Sequence, residues 1–490
     1  MKAPLSRRDF LRSASILGAA SVLAACTPPG SGQERRESET LRHLVILYTN
    51  DEHGWLEQGQ DYGGADSLMY RWIHQEKILN DPAHHLILSG GDLYTGPALS
   101  TWFKGESAID IMNAMGYQAA AIGNHDFDYG LDNLQARAAQ ADFPFISANI
   151  RQKATGAIPQ FARPYIIKEV NGIKIGLVGL TTRETPIDTK PAYVADLDFF
   201  HYDTALKEAV PQARQAGADL ILVVGHLCTT EIRSLVPLAQ ELAIPILFGG
   251  HCHEETNETV EGVVLVQSGS FMRGYIKIDL FFDIVAKKVV SLETSFHRNE
   301  PGKVDEALTG RIAAWRAKSD PVLWQRIGFA RQKISRSSVQ MARLLGKAWL
   351  SVVQGAQVSL ASSRYVQSLP AGEITPAHVI GMLATDDVLV NIELAGSQLV
   401  EIIENHHPLV GGLEEKDVYR FPGGQSLDPE TIYHVLVPDD IYEGCQGYPL
   451  KQMAVSAQVT GIGWREPVIN WITSQKTSRT KPLDDFLDGS

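Results

Sequence analysis

The sequence predicts a layered α/β protein of two domains, and three observations lead there. The chain has 490 residues, more than one hydrophobic core usually serves. Short, nearly continuous apolar runs recur at 44–49 (LVILYT), 86–89 (LILS), 119–122 (AAAI), 175–180 (IGLVGL), 220–224 (LILVV) and 245–248 (PILF). Longer segments with helical spacing separate them. Strands without polar alternation are buried on both faces, and their alternation with helices predicts a largely parallel sheet.

The amino terminus precedes this pattern. Residues 6–12 read SRRDFLR, and an apolar stretch from Ala14 to Ala25 ends at Leu23-Ala24-Ala25-Cys26. That stretch is too short for a permanent membrane helix and suits a cleaved export signal. The arginine pair is similar to a twin-arginine signal and the ending to a lipoprotein box, so residues 1–26 are expected to be a signal peptide and Cys26 the lipidated residue. Residues 27–40 (TPPGSGQERRESET) read as a flexible tether. The expected location is periplasmic or at the cell surface, with the lipid as the contact with a membrane.

The first folded domain is expected over 41–300, with a helical segment from Asp66 to Leu79 entered through Tyr62-Gly63-Gly64. Three later runs, 263–268, 275–282 and 289–296, have no helices between them and are expected as antiparallel strands extending a second sheet. Helical spacing from Val304 to Lys318 makes 301–326 the linker, with Ser319, Asp320 and Pro321 interrupting it. A second α/β domain over 327–490 contains the strand-like VLVNIELAG (388–396) and a helix from Ser397 to Glu404.

Composition narrows the functional classes. With 44 Lys plus Arg against 57 Asp plus Glu, a net charge of −13, the chain lacks the basic footprint of a nucleic-acid binder. An anionic substrate must be held by local positive charge. Of the four cysteines, Cys26, Cys228, Cys252 and Cys445, three remain after lipidation, which is no complete disulfide framework.

The residues at the carboxyl end of each apolar run carry the chemistry. Asp51 and His53 come after the first, Asp92 after the second, Asn124 and His125 after the third, His226 after the fifth, and His251 and His253 after the sixth. Gly91, Gly123, Gly225 and Gly250 stand immediately before four of these groups, letting the chain turn sharply. Ligands of open α/β sheets bind at the carboxyl ends of strands, so these side chains should converge. Carboxylate, imidazole and amide oxygen without thiolate suit a pair of divalent ions, Zn, Mn, Fe or Co, whose charge outweighs two carboxylates and favours a phosphate. Cys252 lies between two of these histidines; an extended chain points it away, and it is read as a buried free thiol within reach of Cys228.

The segments TNDEHG (49–54), GGDLYTGP (90–97), GNHDFDYG (123–130), GH (225–226) and GHCH (250–253) resemble the five blocks of the calcineurin-like metallophosphoesterases, specifically the 5′-nucleotidase and UDP-sugar hydrolase family. The resemblance implies a four-layer α/β/β/α catalytic domain followed by a smaller C-terminal α/β substrate domain. It implies that Asp51, His53 and His253 hold one ion, that Asn124, His226 and His251 hold the other, and that Asp92 bridges them. His253 stands where the family often has Gln. His125 would be the catalytic imidazole and Asp128 its partner; Asp126, where the family has Glu, is assigned no role. The implied reaction is hydrolysis of a phosphomonoester or pyrophosphate bond of a nucleotide-like small molecule, by attack of a metal-bound water.

The resemblance thins towards the C-terminus. LPAGEIT (369–375), VLVNIELAGSQL (388–399) and GYP (447–449) match family segments, whereas the arginine loop appears as Ser362-Ser363-Arg364-Tyr365-Val366-Gln367 and a Pro-Phe pair as Ala384-Thr385. Arg364 is the candidate phosphate contact, and Tyr448 with a residue near His407 are the candidate base-stacking positions. Two other readings stay open: the same metal site acting on a cyclic nucleotide or a sulfur-containing ester, and a cell-surface binding protein that has lost catalysis.

Overall fold

Alternate residues of the strand Leu41–Thr49 enter two different cores, and the rest of the N-terminal architecture depends on that. Val45 and Leu47 pack among helices, while Leu44, Ile46 and Tyr48 meet the opposite sheet. The computed structural model describes residues 40–59, 61–414 and 419–488; the expected signal peptide, Cys26 and the tether to residue 39 lie outside them.

Two six-stranded sheets stack face to face. The first holds the runs at Leu41–Thr49, His85–Ser89 and Ala119–Ala121 in parallel, and the second holds Ile173–Thr181, Leu220–His226 and Ile246–Phe248 in parallel. Their shared core contains Leu86, Leu88, Leu177, Leu222, Val224, Ile246 and Phe248. Helices cover both outer faces, Ala65–His74 and Glu106–Met115 on one and Tyr202–Gln215 on the other. The result is the four-layer α/β/β/α arrangement.

Several expectations need correction. The hairpin Gly274–Asp283 and Lys288–Arg298 is antiparallel but extends the first sheet, whereas Val263–Ser268 joins the second sheet parallel to Ile246–Phe248. Apolar runs specify burial, not which neighbour supplies it. The first helix ends at His74 instead of Leu79, with Lys77 left-handed at φ 63°. The linker helix runs Glu306–Leu323, straight through Pro321. Leu323 is fully buried with Ala98, Ala377 and Ile380, and that packing carries the last turn past the proline.

The C-terminal five-stranded sheet has the order Leu409–Gly411, Val358–Ala361, Ile432–Pro438, Val388–Ala395, Ser456–Gly463. Val339–Leu350 and Arg465–Ser474 pack on one face, Gly396–His406 on the other. This half docks on the first through Lys190 Nζ–Asp439 Oδ2 (2.5 Å), Lys104 Nζ–Asp386 Oδ2 (2.6 Å) and the Tyr129 hydroxyl donating to the Ala384 carbonyl (3.2 Å). The described residues from Arg42 onward form one unit.

Candidate metal centre

Each expected ligand leaves the carboxyl end of a buried strand, and most leave it in a costly conformation. Asp51 (φ 52°), His53 (48°), Asp92 (58°), His251 (72°) and His253 (58°) are all left-handed. Such backbone costs about 1–3 kcal/mol per non-glycine residue and persists only where surroundings enforce it. Here the loops enforce one another: the amides of Asp51, His53 and Gly54 donate to the carbonyls of Gly91, Asp92 and Leu93, each at 2.9 Å. Glycine is required at 123, where a Cβ would lie 2.0 Å from Asp92 Oδ1.

The side chains then converge. Oxygen and nitrogen atoms of Asp51, His53 and His253 lie within 4.8 Å of one another, as do those of Asp51, Asp92 and His226. Asp92 Oδ2 is 3.1 Å from His226 Nε2 and 3.6 Å from His53 Nε2, so this carboxylate stands between the two groups. Asn124 Oδ1 is 3.2 Å from His226 Nε2, oriented by its amide donating to the Asp188 carbonyl. His251 sits at the margin: its ring is 5.2 Å from that of His226, and its Nε2 faces Asp188 Oδ2 at 3.6 Å.

This donor set fits divalent cations. His53 Nδ1 lies 2.8 Å from the Thr95 carbonyl and His226 Nδ1 2.8 Å from that of Gly90, which turns both Nε2 atoms inward as in metal-bound histidines. His53 Nε2 meets His253 Nε2 at 3.2 Å, an approach that a shared cation satisfies. Electrostatics agree. Burial lowers the His226 pKa, but Asp92 and Asp51 outweigh it and push it up to about 9, so the pocket draws in positive charge. Burial brings His53 down to about 4, leaving a neutral imidazole free to coordinate.

His125 stands beside this cluster. Its Nδ1 is 2.8 Å from Asp128 Oδ2, whose other oxygen accepts from the Thr189 hydroxyl at 3.0 Å. Burial opposes a charge on the ring, yet Asp128 and Asp92 raise its pKa to about 10. In the absence of cations the protonated ring is favoured, and Nε2 is then its remaining donor.

Comparison with known proteins places these features in a lineage. Residues 44–255 match the model of the calcineurin-like phosphoesterases. The chain is 36% identical over 230 residues to a 5′-nucleotidase of Vibrio cholerae, covering 46% of this chain and 40% of that protein. It is 26% identical to Protein UshA of Yersinia enterocolitica over 96% of this chain and 97% of that one. Over residues 44–255 the chain is similar to the calcineurin-like phosphoesterases. Its fold is that of the 5′-nucleotidase precursor of Thermus thermophilus, with a TM-score of 0.75 at 22% identity over 89% of this chain and 97% of that one. The Thermus thermophilus sulfate thiohydrolase SoxB is similar too, with 0.68 at 17%, over 89% and 94%.

The substrate side of the site differs from expectation. Tyr448 is buried, and the ring lying on it is His406, stacked at 4.5 Å and 25°; His407 is exposed at the left-handed end of its helix. The ring beside Tyr448 is thus that of the residue next to His407 in sequence. Arg364 is exposed. The neighbouring Tyr365 enters instead, its ring 5.9 Å from and edge-on to His125 and its hydroxyl donating to the Asp188 carbonyl at 2.7 Å.

Three supporting residues escape a reading of the sequence. Asp126, assigned no role there, is buried and accepts from the amides of Asp92 (3.2 Å), Leu93 (2.9 Å) and Gly123 (2.8 Å). Asn50 accepts from the Ser268 amide at 2.7 Å and donates to Asp51 Oδ2 at 2.6 Å, and Glu52 accepts from the hydroxyls of Thr49 and Ser89. Their one signal is position: Asn50 and Glu52 flank Asp51. Cys252 is also corrected. It is exposed and joined to Cys228 by a disulfide, because left-handed residues on both sides make the chain turn where extension was expected.

Proposed function

We propose that the protein is a phosphohydrolase that cleaves a phosphomonoester or pyrophosphate bond of a nucleotide-like small molecule with two divalent cations. The observation that carries this is the convergence of Asp51, His53, Asp92, Asn124, His226 and His253 beside His125, whose Nδ1 is held by Asp128. Asp51, His53 and His253 would hold one cation, Asn124, His226 and His251 the other, and Asp92 would be shared. Cations there supply Lewis acidity and neutralise phosphoryl charge.

The chain's own groups do the rest. His125, fixed through Nδ1 by Asp128, offers its Nε2 proton to an equatorial phosphoryl oxygen or to the departing oxygen. Thr189 holds Asp128 in turn. Tyr365 packs the C-terminal half against His125 and narrows the space in which a substrate lies. The arginine pair, the apolar stretch after it and Cys26 support export as a lipoprotein, as does the disulfide, since such bonds persist in oxidising compartments. No helix among the described residues is long and apolar enough to cross a membrane.

A second reading keeps the metal site and changes the ester to a cyclic nucleotide or a sulfur-containing group. It is favoured by His406 covering Tyr448, where a base would stack. The discriminating experiment is product formation by Mn- or Zn-reconstituted protein, followed by chromatography: adenosine and phosphate from AMP, UMP and glucose 1-phosphate from UDP-glucose, adenosine 2′- or 3′-monophosphate from 2′,3′-cyclic AMP, and p-nitrophenol from p-nitrophenyl phosphate. Turnover of AMP or UDP-glucose is expected. Turnover restricted to the cyclic substrate selects the cyclic-nucleotide form of the second reading, and no turnover of any of the four with either metal leaves a sulfur-containing ester or a binding protein without catalysis.

A further inference from the structure

We propose that the Cys228–Cys252 disulfide is a positioning element of the metal centre, fixing the turn that carries His251 and His253 so that it takes its cation tightly. The inference rests on the metal-site reading above and adds a residue pair that this reading does not use.

The turn itself is strained and lightly held. His251 and His253 both have left-handed backbone, at φ 72° and 58°, with Cys252 between them. Residues 252–255 are exposed, and the His253 side chain is 37% exposed, so burial does not hold this segment as it holds Asp51, Asp92 and His226. Residues 251 and 252 themselves make few backbone bonds: the His251 amide donates to the Asp51 carboxylate at 3.0 Å and the Cys252 amide to the Gly250 carbonyl at 2.8 Å, while on either side the Gly250 amide donates to the Leu227 carbonyl at 2.8 Å and the Glu254 carbonyl accepts from the Gly269 amide at 2.9 Å. Phe271 lies against the His253 ring at 4.9 Å.

The other end of the disulfide is anchored. Cys228 lies two residues beyond the fully buried His226 and starts the helix Thr229–Ser234. Its amide donates to Glu231 Oε2 at 2.9 Å, and its carbonyl accepts from the Glu231 and Ile232 amides at 3.0 Å each. The two Cα atoms are 5.1 Å apart, inside the span a disulfide bridges. One covalent link therefore ties an exposed turn bearing two expected ligands to the rigid end of the strand bearing a third. Without it, the strained turn has more conformations to lose on binding a cation, and groups that orient ligands typically change metal affinity by about 10–100-fold when removed.

The test uses Mn²⁺ as the probe, because manganese binds freed thiols weakly and reports coordination rather than sulfur capture. Oxidised full-length protein is compared with protein reduced by a trialkylphosphine, which converts the disulfide to two thiols while it takes oxygen from water and becomes the phosphine oxide. A Cys228→Ser/Cys252→Ser double variant provides the comparison without reductant, and reduction of folded protein stands in should that variant fail to fold. Mn²⁺ stoichiometry and affinity are read by calorimetry and electron paramagnetic resonance.

Oxidised protein is expected to bind two ions, and the reduced and doubly substituted forms to bind at least one of them about 10–100-fold more weakly, with excess Mn²⁺ restoring full occupancy. Were the cross-link purely structural, its loss would lower the melting temperature and leave Mn²⁺ affinity unchanged, and that result overturns the inference while the metal centre stands. Failure of the oxidised protein itself to bind Mn²⁺ overturns the metal-centre reading and this inference with it.

Discussion

Tyr365 stands edge-on to His125, with ring centroids 5.9 Å apart and planes at 77°. The tyrosine belongs to the C-terminal half and the histidine to the first, and the tyrosine hydroxyl is committed to the Asp188 carbonyl at 2.7 Å. That carbonyl also accepts from Asn124, and the Asp188 carboxylate faces His251. One side chain thus couples the second half to the His125 imidazole and to two expected ligands. Tyr365→Ala is expected to lower kcat about tenfold or more by loosening His125, with metal stoichiometry unchanged, and Tyr365→Phe to retain most of the rate. Steady-state kinetics on a metal-reconstituted pair of variants measures this, and wild-type kcat in Tyr365→Ala removes the contact from the mechanism.

His125 itself is engaged through Nδ1 with Asp128, which leaves its ring outside the two expected ligand sets. His125→Ala is therefore expected to bind both cations normally and to lose on the order of 10² or more in turnover. Metal analysis and phosphate release on the same preparation separate the two effects. Near-normal turnover would exclude the imidazole from the chemistry.

Asp126 shows what a supporting carboxylate does. Oδ2 accepts from the Asp92 and Gly123 amides and Oδ1 from Leu93, joining the second and third ligand loops, while burial and the nearby Asp92 charge raise its pKa to about 7. Asp126→Ala leaves three amides without this acceptor, each worth about 1–3 kcal/mol if unsatisfied, so a loss of roughly 3 kcal/mol or more is expected. Asp126→Asn keeps one oxygen and should fall between. Thermal unfolding of the metal-free proteins gives the order, and an alanine variant as stable as wild type would mean that water fills the role.

Much of this is readable from the residues because doubly buried strands have a distinct pattern. All six leading runs are strands, and each expected ligand sits within a few residues of a strand end, since glycine and a metal-type side chain after an apolar run leave little else to expect. Sheet membership is not readable: the run at 263–268 looks like its neighbours, yet pairs parallel with Ile246–Phe248 while the next hairpin crosses to the other sheet. Pro321 misleads because the burial of Leu323, a tertiary fact, overrides a local signal. Asp188 ends the four-residue helix Thr185–Asp188 and Tyr365 lies in a turn, both too short to show periodicity, and only the docking of two halves brings them together. Cys252 misleads for a local reason, since nothing in the residue types marks the left-handed turn around it.

The contact between the halves also carries a pH signature. Asp440 and Asp387 line a small cavity with Lys190, Tyr193, Thr385 and Tyr365. Burial, reinforced by Asp439, raises the Asp440 pKa from 3.8 to about 7; burial and Asp440 hold Asp387 well above the usual carboxylate range. Between 3.8 and about 7 the folded protein binds more protons at Asp440 than the unfolded chain does, so stability falls as pH rises through that window. An amide does not titrate, and Asp440→Asn keeps the oxygen that accepts from the Ile441 amide at 2.6 Å. The variant should therefore gain on wild type between about pH 5 and about pH 8, by roughly 1–3 kcal/mol once the partner charges readjust. Melting temperatures of both proteins at the two pH values decide it. A difference independent of pH would show that Asp440 is ionised throughout and that Lys190 neutralises it.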